Sequence, residues 1–453
     1  MNHNQNRREF LAAGASLAAV AAFDALGAPI YGAIDADSKP AILGGDAPEY
    51  DSGPAWPFFA GDEVERLTEV FESRRWNRGD ESSPTVVFEN DFAEMLGSKF
   101  GLAVSSGTTA LQTALSALDV GPGDEVIVTP YTYVASVNCI LESYALPVFA
   151  DVDFDTYQLD AKQAEKRINE NTQALLPVHI GGAPANMDAF LKLGKKRDLP
   201  VVEDACQAVM GEWKGKKLGT LGTLGCFSMQ ITKNLCGGEG GVVLTDDEFL
   251  AYKVLDAHTH GFLPHAGTPL DEYRPVRASN YRMTGFQGAI LSAQLPHIAE
   301  HADVRNENAL YLSSLLREIP GVYPQKIYDG GRSAWHLYMF RIDEREFGLS
   351  RDEFVQALLE EGISCMSGYQ SCDWTGYVRK SLDTRAGRRV YSKERLDEWE
   401  EATSLPNFHK LAKETVWLFQ TQLLAPKSNM EVIADAVRRI RKYAPEIKKA
   451  LAK

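Results

Sequence analysis

The sequence predicts an α/β fold: a large domain with a mostly parallel sheet covered by helices, then a smaller C-terminal α+β domain. Three observations predict it. Short apolar runs alternate with helical patterns from about residue 102 to residue 245, and such alternation implies parallel strands joined by helical crossovers. Beyond about residue 298 the alternation stops and long helical patterns take over. The 453 residues also exceed what one small core organises. The expected division is a signal segment over 1–33, a large domain with an N-terminal arm over 34–298, and a small domain over 299–453.

The elements follow in order. Residues 40–57 are rich in Gly and Pro and read as an extended arm. Val64, Leu67, Val70 and Phe71 recur at helical spacing, which predicts a helix over 61–73. A second helix is expected over 88–100. Strands are expected over 102–104, 125–129, 147–150, 173–179, 199–203, 225–228 and 241–245. Helices over 110–118, 134–143 and 187–196 fall between them. Gly121-Pro122-Gly123-Asp124 and Asp246-Asp247 read as plain turns. A helix over 285–295 follows. The small domain should hold helices over 304–316, 351–361 and 430–444, with a strand over 335–342.

Composition narrows the function classes. Apolar residues make up 44% and charged residues 24%, which suits a folded globular chain. The formal charge is −15, and an acidic surface repels phosphate backbones, so a nucleic-acid partner is not expected. The six cysteines include no Cys-x-x-Cys pair, so neither a zinc site nor a redox motif is read from them, and no metal is expected. They are too sparse for a disulfide framework and read as small buried hydrophobes. Arg7-Arg8 ahead of the apolar run 10–23 reads as a twin-arginine export signal. The run is Ala-rich and broken by Asp24, a poor membrane span, so the mature protein should have none. The expected location is the periplasm or cell exterior; without export it is the cytoplasm.

Four segments carry candidate chemistry. In Ser105-Ser106-Gly107-Thr108-Thr109-Ala110-Leu111, a strand, a Gly turn and a helix start aim backbone N–H groups and hydroxyls toward an anion. Capping by Thr accounts for the segment equally well. In Val202-Glu203-Asp204-Ala205-Cys206-Gln207, two carboxylates stand at the end of a parallel strand, where open α/β sheets place their sites. A helix cap at Asp204 is the alternative. Lys233 lies in apolar surroundings before the glycine run 237–241. Desolvation there would make it a usable amine, whereas a lone lysine is ordinarily a surface charge. Ser228, five residues earlier, can meet a phosphate. The fourth segment, residues 279–284, contains Asn280 and reads as a polar loop. A desolvated lysine, a strand-end carboxylate and a phosphate-directed turn together suit pyridoxal 5′-phosphate (PLP). That cofactor needs an amine for its aldehyde, a carboxylate for its pyridine nitrogen and an anion site.

The order and spacing resemble the DegT/DnrJ/EryC1/StrS family of PLP-dependent sugar aminotransferases. The resemblance rests on Ser-Ser-Gly-Thr-Thr-Ala-Leu (105–111), the run Gly-Asp-Glu-Val-Ile-Val-Thr-Pro-Tyr-Thr-Tyr-Val-Ala-Ser (123–136), Glu-Asp-Ala-Cys-Gln-Ala (203–208), the lysine run to Gly-Glu-Gly-Gly (238–241), and Asn-Tyr-Arg-Met (280–283). It implies the fold-type I aminotransferase architecture. It implies Lys233 as the Schiff-base (internal aldimine) lysine and Asp204 as the pyridinium partner. Gln207 falls beside the ring oxygen and Tyr133 stacks on the cofactor face. Thr108, Thr109 and Ser228 become phosphate ligands. Asn280 reaches the phosphate of a neighbouring subunit, so a homodimer is expected. The implied reaction moves an amino group from glutamate or glutamine to a keto-sugar or keto-cyclitol. Lysine at position 233, where the related dehydratases carry histidine, points to transamination. Two departures bear on substrate preference: Ile180-Gly181-Gly182 where many relatives read Tyr-Gly, and Met229 in place of an aromatic residue. A retired enzyme acting as a PLP- or sugar-binding sensor is the alternative. A nucleotide-binding dehydrogenase is set aside, because no Gly-x-Gly-x-x-Gly turn follows the first strand.

Overall fold

The computed structural model describes residues 38–261, 275–369 and 373–452. The expected signal segment, residues 1–33, and Cys372 lie outside the described residues.

Among the described residues, the first part of the chain holds the strands β1 (Phe100–Val104), β2 (Glu125–Val128), β3 (Leu146–Phe149), β4 (Thr172–Leu176), β5 (Val202–Asp204), β6 (Glu212–Trp213), β7 (Lys216–Lys217), β8 (Leu224–Ser228) and β9 (Gly241–Thr245). β1, β9, β8 and β5 pair in that order, as do β4, β2 and β3. Parallel bridges from Leu175 to Val201 and from Val178 to Asp204 join β4 to β5. The result is one seven-stranded sheet ordered β1-β9-β8-β5-β4-β2-β3. β2, β3, β8 and β9 are buried along their whole length, which is why they read as unbroken apolar runs rather than alternating ones.

The sheet is mostly parallel, with one exception. β9 runs against both β1 and β8. The cause is the connection from β8, which returns along the same edge without a helical crossover. Met229 N bonds Gly240 O at 2.8 Å and Ile231 N bonds Gly238 O at 2.9 Å. β1, β8, β5, β4 and β2 thus all end on one edge of the sheet.

Several expected boundaries shift for local reasons. The helix expected over 88–100 is Pro84–Leu96. Pro84 suits a first turn, Gly97 ends the helix at φ 81°, and Phe100 already belongs to β1. Asp247 is a helix cap rather than part of a plain turn. Its carboxylate accepts from Leu250 N, 3.0 Å away, and starts the helix Glu248–His258. In the helix Glu63–Ser73 only Val70 of the four spaced apolar residues is buried. Val64 and Phe71 are 66% and 63% exposed, so the helical spacing does not mark a face on this chain's own core.

The later strands are β10 (Val322–Pro324), β11 (Gly331–Arg332), β12 (Leu337–Ile342), β13 (Met366–Ser367) and β14 (Thr415–Phe419). β11 pairs with β6, and β10-β12-β14-β13 form a separate antiparallel sheet. Phe340 and Val416 of that sheet pack with Leu312, Phe354, Ile433 and Val437 from three helices, forming a second buried cluster. The helices Trp374–Leu382, Lys393–Glu401 and Pro406–Glu414 interrupt the second sheet between β13 and β14. Their buried residues Trp374, Trp399 and Phe408 instead join the buried cluster of the seven-stranded sheet, with Val126, Val148 and Phe149. Trp374 Nε1 donates to Pro130 O at 2.8 Å and Trp399 Nε1 to Pro147 O at 3.1 Å, and both rings pack on Phe149.

Candidate active site

Strand alternation sends Glu203 and Asp204 to opposite faces of the sheet. Glu203 is fully buried and accepts from Gly219 N, Leu221 N and Gly222 N at 2.6–2.9 Å. His179 Nε2 lies 2.9 Å from the same carboxylate. Because His179 Nδ1 accepts from Ala185 N, its proton sits on Nε2 and points at Glu203. Glu203 is thereby used up in holding a turn. Asp204 is 3% exposed and accepts from Ser136 Oγ at 2.7 Å and from Cys206 N at 3.1 Å. Thr132 Oγ1 meets Ser136 Oγ at 2.8 Å and extends the chain of hydroxyls.

Gln207 has its amide oriented from both ends. Its Oε1 accepts from Gly181 N and its Nε2 donates to the Tyr369 hydroxyl, each at 2.7 Å. Tyr369 has its phenol pushed up mainly by burial, with Tyr131, Asp204 and Tyr133 adding to the rise. Tyr133 itself is 56% exposed at the turn that follows β2.

The opposite end of the site is the start of the helix Gly107–Ala117. Ser106 Oγ accepts from Thr109 N at 3.1 Å, and Thr109 Oγ1 accepts from Ser106 N at 2.9 Å. Thr109 Oγ1 also donates to Ser106 O at 2.9 Å. The Thr109 hydroxyl therefore serves as a cap, the reading its sequence allowed from the outset. Thr108 is partly exposed, and the N–H groups of the first helical residues point out of the helix end. Gly107 sits directly over Ser228. A Cβ there would lie 2.6 Å from Ser228 Cβ and 3.0 Å from Cys206 Sγ, so only glycine permits this approach.

Lys233 follows a turn in which Lys233 N bonds Gln230 O at 2.8 Å. Burial pushes its amine below the usual lysine range, while Cys206 and Asp204 oppose that shift. Its Nζ lies 3.4 Å from His336 Nε2. His336 is held well below the usual imidazole range by burial, Lys233 and Arg305. Arg305 is 1% exposed, lowered to about 9 by burial, and stacked at 5.5 Å over Trp56. Its guanidinium donates to the Gln420 side chain.

The fold thus brings Lys233, Asp204, Cys206, Gly107 and Ser228 to one place, with Gln207 beside Asp204. Asn280 has a side chain that meets none of these residues, although the next residue, Tyr281, accepts from Ser105 N at 2.7 Å. Asn280 is exposed, and its Oδ1 accepts from Arg282 N in its own loop. His336, Tyr369 and Ser136 were missed in the sequence. His336 and Tyr369 come from segments with no phosphate or strand-end signature. Ser136 closes the 123–136 segment and stands in the first turn of the helix Ala135–Glu142, but its sequence assigned it no role.

These residues fit PLP by their chemistry: a desolvated amine, a buried strand-end carboxylate, and a glycine-opened helix start beside a serine. Lys233, Asp204, Gln207 and the 107–109 turn with Ser228 would hold it. When bound, the cofactor supplies an aldehyde and an electron sink. Fold and site together define a PLP-dependent aminotransferase of fold type I.

Residues 59–419 match the model of the DegT/DnrJ/EryC1/StrS aminotransferase family, and the chain belongs to that family. It is 34% identical over 419 residues to 3-amino-5-hydroxybenzoate synthase of Amycolatopsis mediterranei, covering 87% of this chain and 98% of that protein. It is 33% identical over 426 residues to L-glutamine:2-deoxy-scyllo-inosose aminotransferase of Streptomyces lividus, covering 90% and 98%. The crystal structure of 3-amino-5-hydroxybenzoic acid synthase superposes with a TM-score of 0.74 at 31% identity, covering 90% of this chain and all of that one.

Proposed function

We propose that the chain moves the amino group of glutamine or glutamate onto a keto-cyclitol or keto-sugar, with Lys233 as the reacting amine. The carrying observation is the desolvated Lys233 amine set among Asp204, Cys206 and His336. Burial, by lowering the amine's pKa, enlarges the share of the neutral form, which can attack an aldehyde and then accept and return protons. In this reading Asp204 keeps the pyridine nitrogen protonated, and Ser136 orients that carboxylate. Gln207 faces the ring oxygen, Tyr133 covers the ring, and Thr108 and Ser228 take the phosphate; Thr109 would join them only by giving up its bonds to Ser106. The acceptor class is supported by the names of relatives aligned over nearly their whole length, among them the inosose aminotransferases.

The test is spectroscopic. The full chain mixed with PLP should develop a visible absorbance band that Lys233→Ala abolishes. Glutamine or glutamate should then discharge that band, and a keto-inositol should restore it. A wild-type protein that shows no band refutes the assignment of Lys233. A band that no amino donor discharges refutes aminotransfer and leaves a binding protein.

The proposal includes a homodimer in which Asn280 completes the neighbouring site. It is supported by the exposure of Asn280 and of the apolar side chains Val64, Phe71 and Trp76. It also includes export, supported by Arg7-Arg8 ahead of the apolar run 10–23. Among the described residues, no helix is long and apolar enough to cross a membrane. Replacing Arg7 and Arg8 together by Lys should leave the protein in the cytoplasmic fraction; unchanged fractionation refutes the export route.

A further inference from the structure

We propose that His336 is a positioning residue for Lys233: a neutral imidazole whose Nε2 accepts from the lysine when it is charged and donates to it when it is neutral. The inference rests on the reading of Lys233 as the reacting amine.

Geometry carries it. Nε2 stands 3.4 Å from Lys233 Nζ and the residue is 7% exposed. On the far side of the ring, Nδ1 is buried and has no hydrogen-bond partner among the described residues. The tautomer of a histidine is ordinarily set by the partner of its other nitrogen. His179 is such a case, fixed by Ala185 N. His336 has no such partner, so the group at Nε2 alone selects where the proton sits.

The surrounding charges keep the ring neutral. Cys206 and Asp204 face Lys233; Lys233 and Arg305 face His336; Cys236 lies beside Arg305. No carboxylate pairs with Arg305 among the described residues, and its partner Gln420 is neutral. This buried positive charge and the loss of hydration both oppose a proton on His336. A protonated imidazole could not accept from an ammonium group and would repel it. The neutral ring can serve both forms of the amine by exchanging tautomers. A lysine that gains and gives up protons during the reaction thus keeps one contact throughout.

Two measurements test this. In the first, the full chain carries ¹⁵N-histidine and pyridoxamine phosphate, which leaves Lys233 as a free amine. The His336 signals are assigned by their loss in His336→Gln. The ring should stay neutral from roughly pH 6 to 10 and pass from the Nδ1–H to the Nε2–H form as pH rises. That passage should vanish in Lys233→Met. A single fixed tautomer, or protonation of the ring in this range, overturns the inference. In the second, PLP capture is followed by its absorbance band and by mass after borohydride trapping. His336→Leu should slow capture about tenfold, the worth of one hydrogen bond, with the melting temperature checked in parallel. Capture at the wild-type rate by a folded His336→Leu protein overturns the inference and leaves Lys233 in its role. Wild-type trapping by Lys233→Met would instead refute the reading of Lys233 itself.

Discussion

Adjacent residues can carry the same group and serve different ends. Glu203 and Asp204 are both buried carboxylates, yet Glu203 meets three backbone N–H groups and His179, whereas Asp204 meets one N–H and one hydroxyl. Glu203→Gln turns one acceptor into a donor facing donors. It should cost about 2–3 kcal/mol of stability in urea unfolding, the penalty for leaving buried polar groups unmatched. The sequence made Lys233, Asp204, Gln207 and Ser228 legible, because each lies in a short segment with its own turn or glycine pattern. It did not reveal His336 or Tyr369. They reach the site from 103 and 162 residues beyond their partners Lys233 and Gln207, and no local pattern encodes such a contact.

At the scale of elements, strands were legible where burial on both faces leaves an unbroken apolar run. The reversal of β9 was not, since direction depends on the connection rather than on the strand's own residues. The helix Glu248–His258 went unread because its cap looked like a turn. Its last residue, His258, is fully buried, and its Nδ1 donates to Leu255 O at 2.7 Å. Burial chiefly, with Arg78 nearby, lowers this imidazole from 6.5 to about 4. Between those values the unfolded chain holds a proton that the folded chain refuses. Stability therefore falls as pH drops below about 6.5, and the loss is complete near pH 4. The full effect is on the order of 3 kcal/mol. His258→Gln should flatten this part of the stability–pH curve, measured by denaturant unfolding at pH 7, 5.5 and 4.5. An unchanged slope would show that other groups govern the acid limb.

At the scale of the molecule, a mostly parallel sheet followed by a smaller α+β part was available from pattern alone; the antiparallel sheet in the second part was not, since only one of its strands, over 335–342, was read. The association of chains was legible only through resemblance. The proposed dimer would place the helix Glu63–Ser73 at its interface, because Val64, Phe71 and nearby Trp76 are apolar and exposed. Phe71→Glu should shift sedimentation toward the monomer and weaken PLP retention, if Asn280 completes a neighbouring site. A Phe71→Glu protein that sediments as the wild type would remove this face from the interface.

The return of the helices within 374–414 has a consequence for how the protein is made. A ribosome releases the chain from its N-terminus, and domains tend to fold as they emerge. Pro130 and Pro147 leave the ribosome 244 and 252 residues ahead of the tryptophans that cover them. During that interval the first sheet carries an open apolar seam over Phe149. His336 and Tyr369 also arrive late, so the first sheet emerges well before its own site can be finished. A nascent chain stopped before residue 374 should accordingly be sticky and chaperone-dependent, and full cofactor capture should begin only once the last helices have docked.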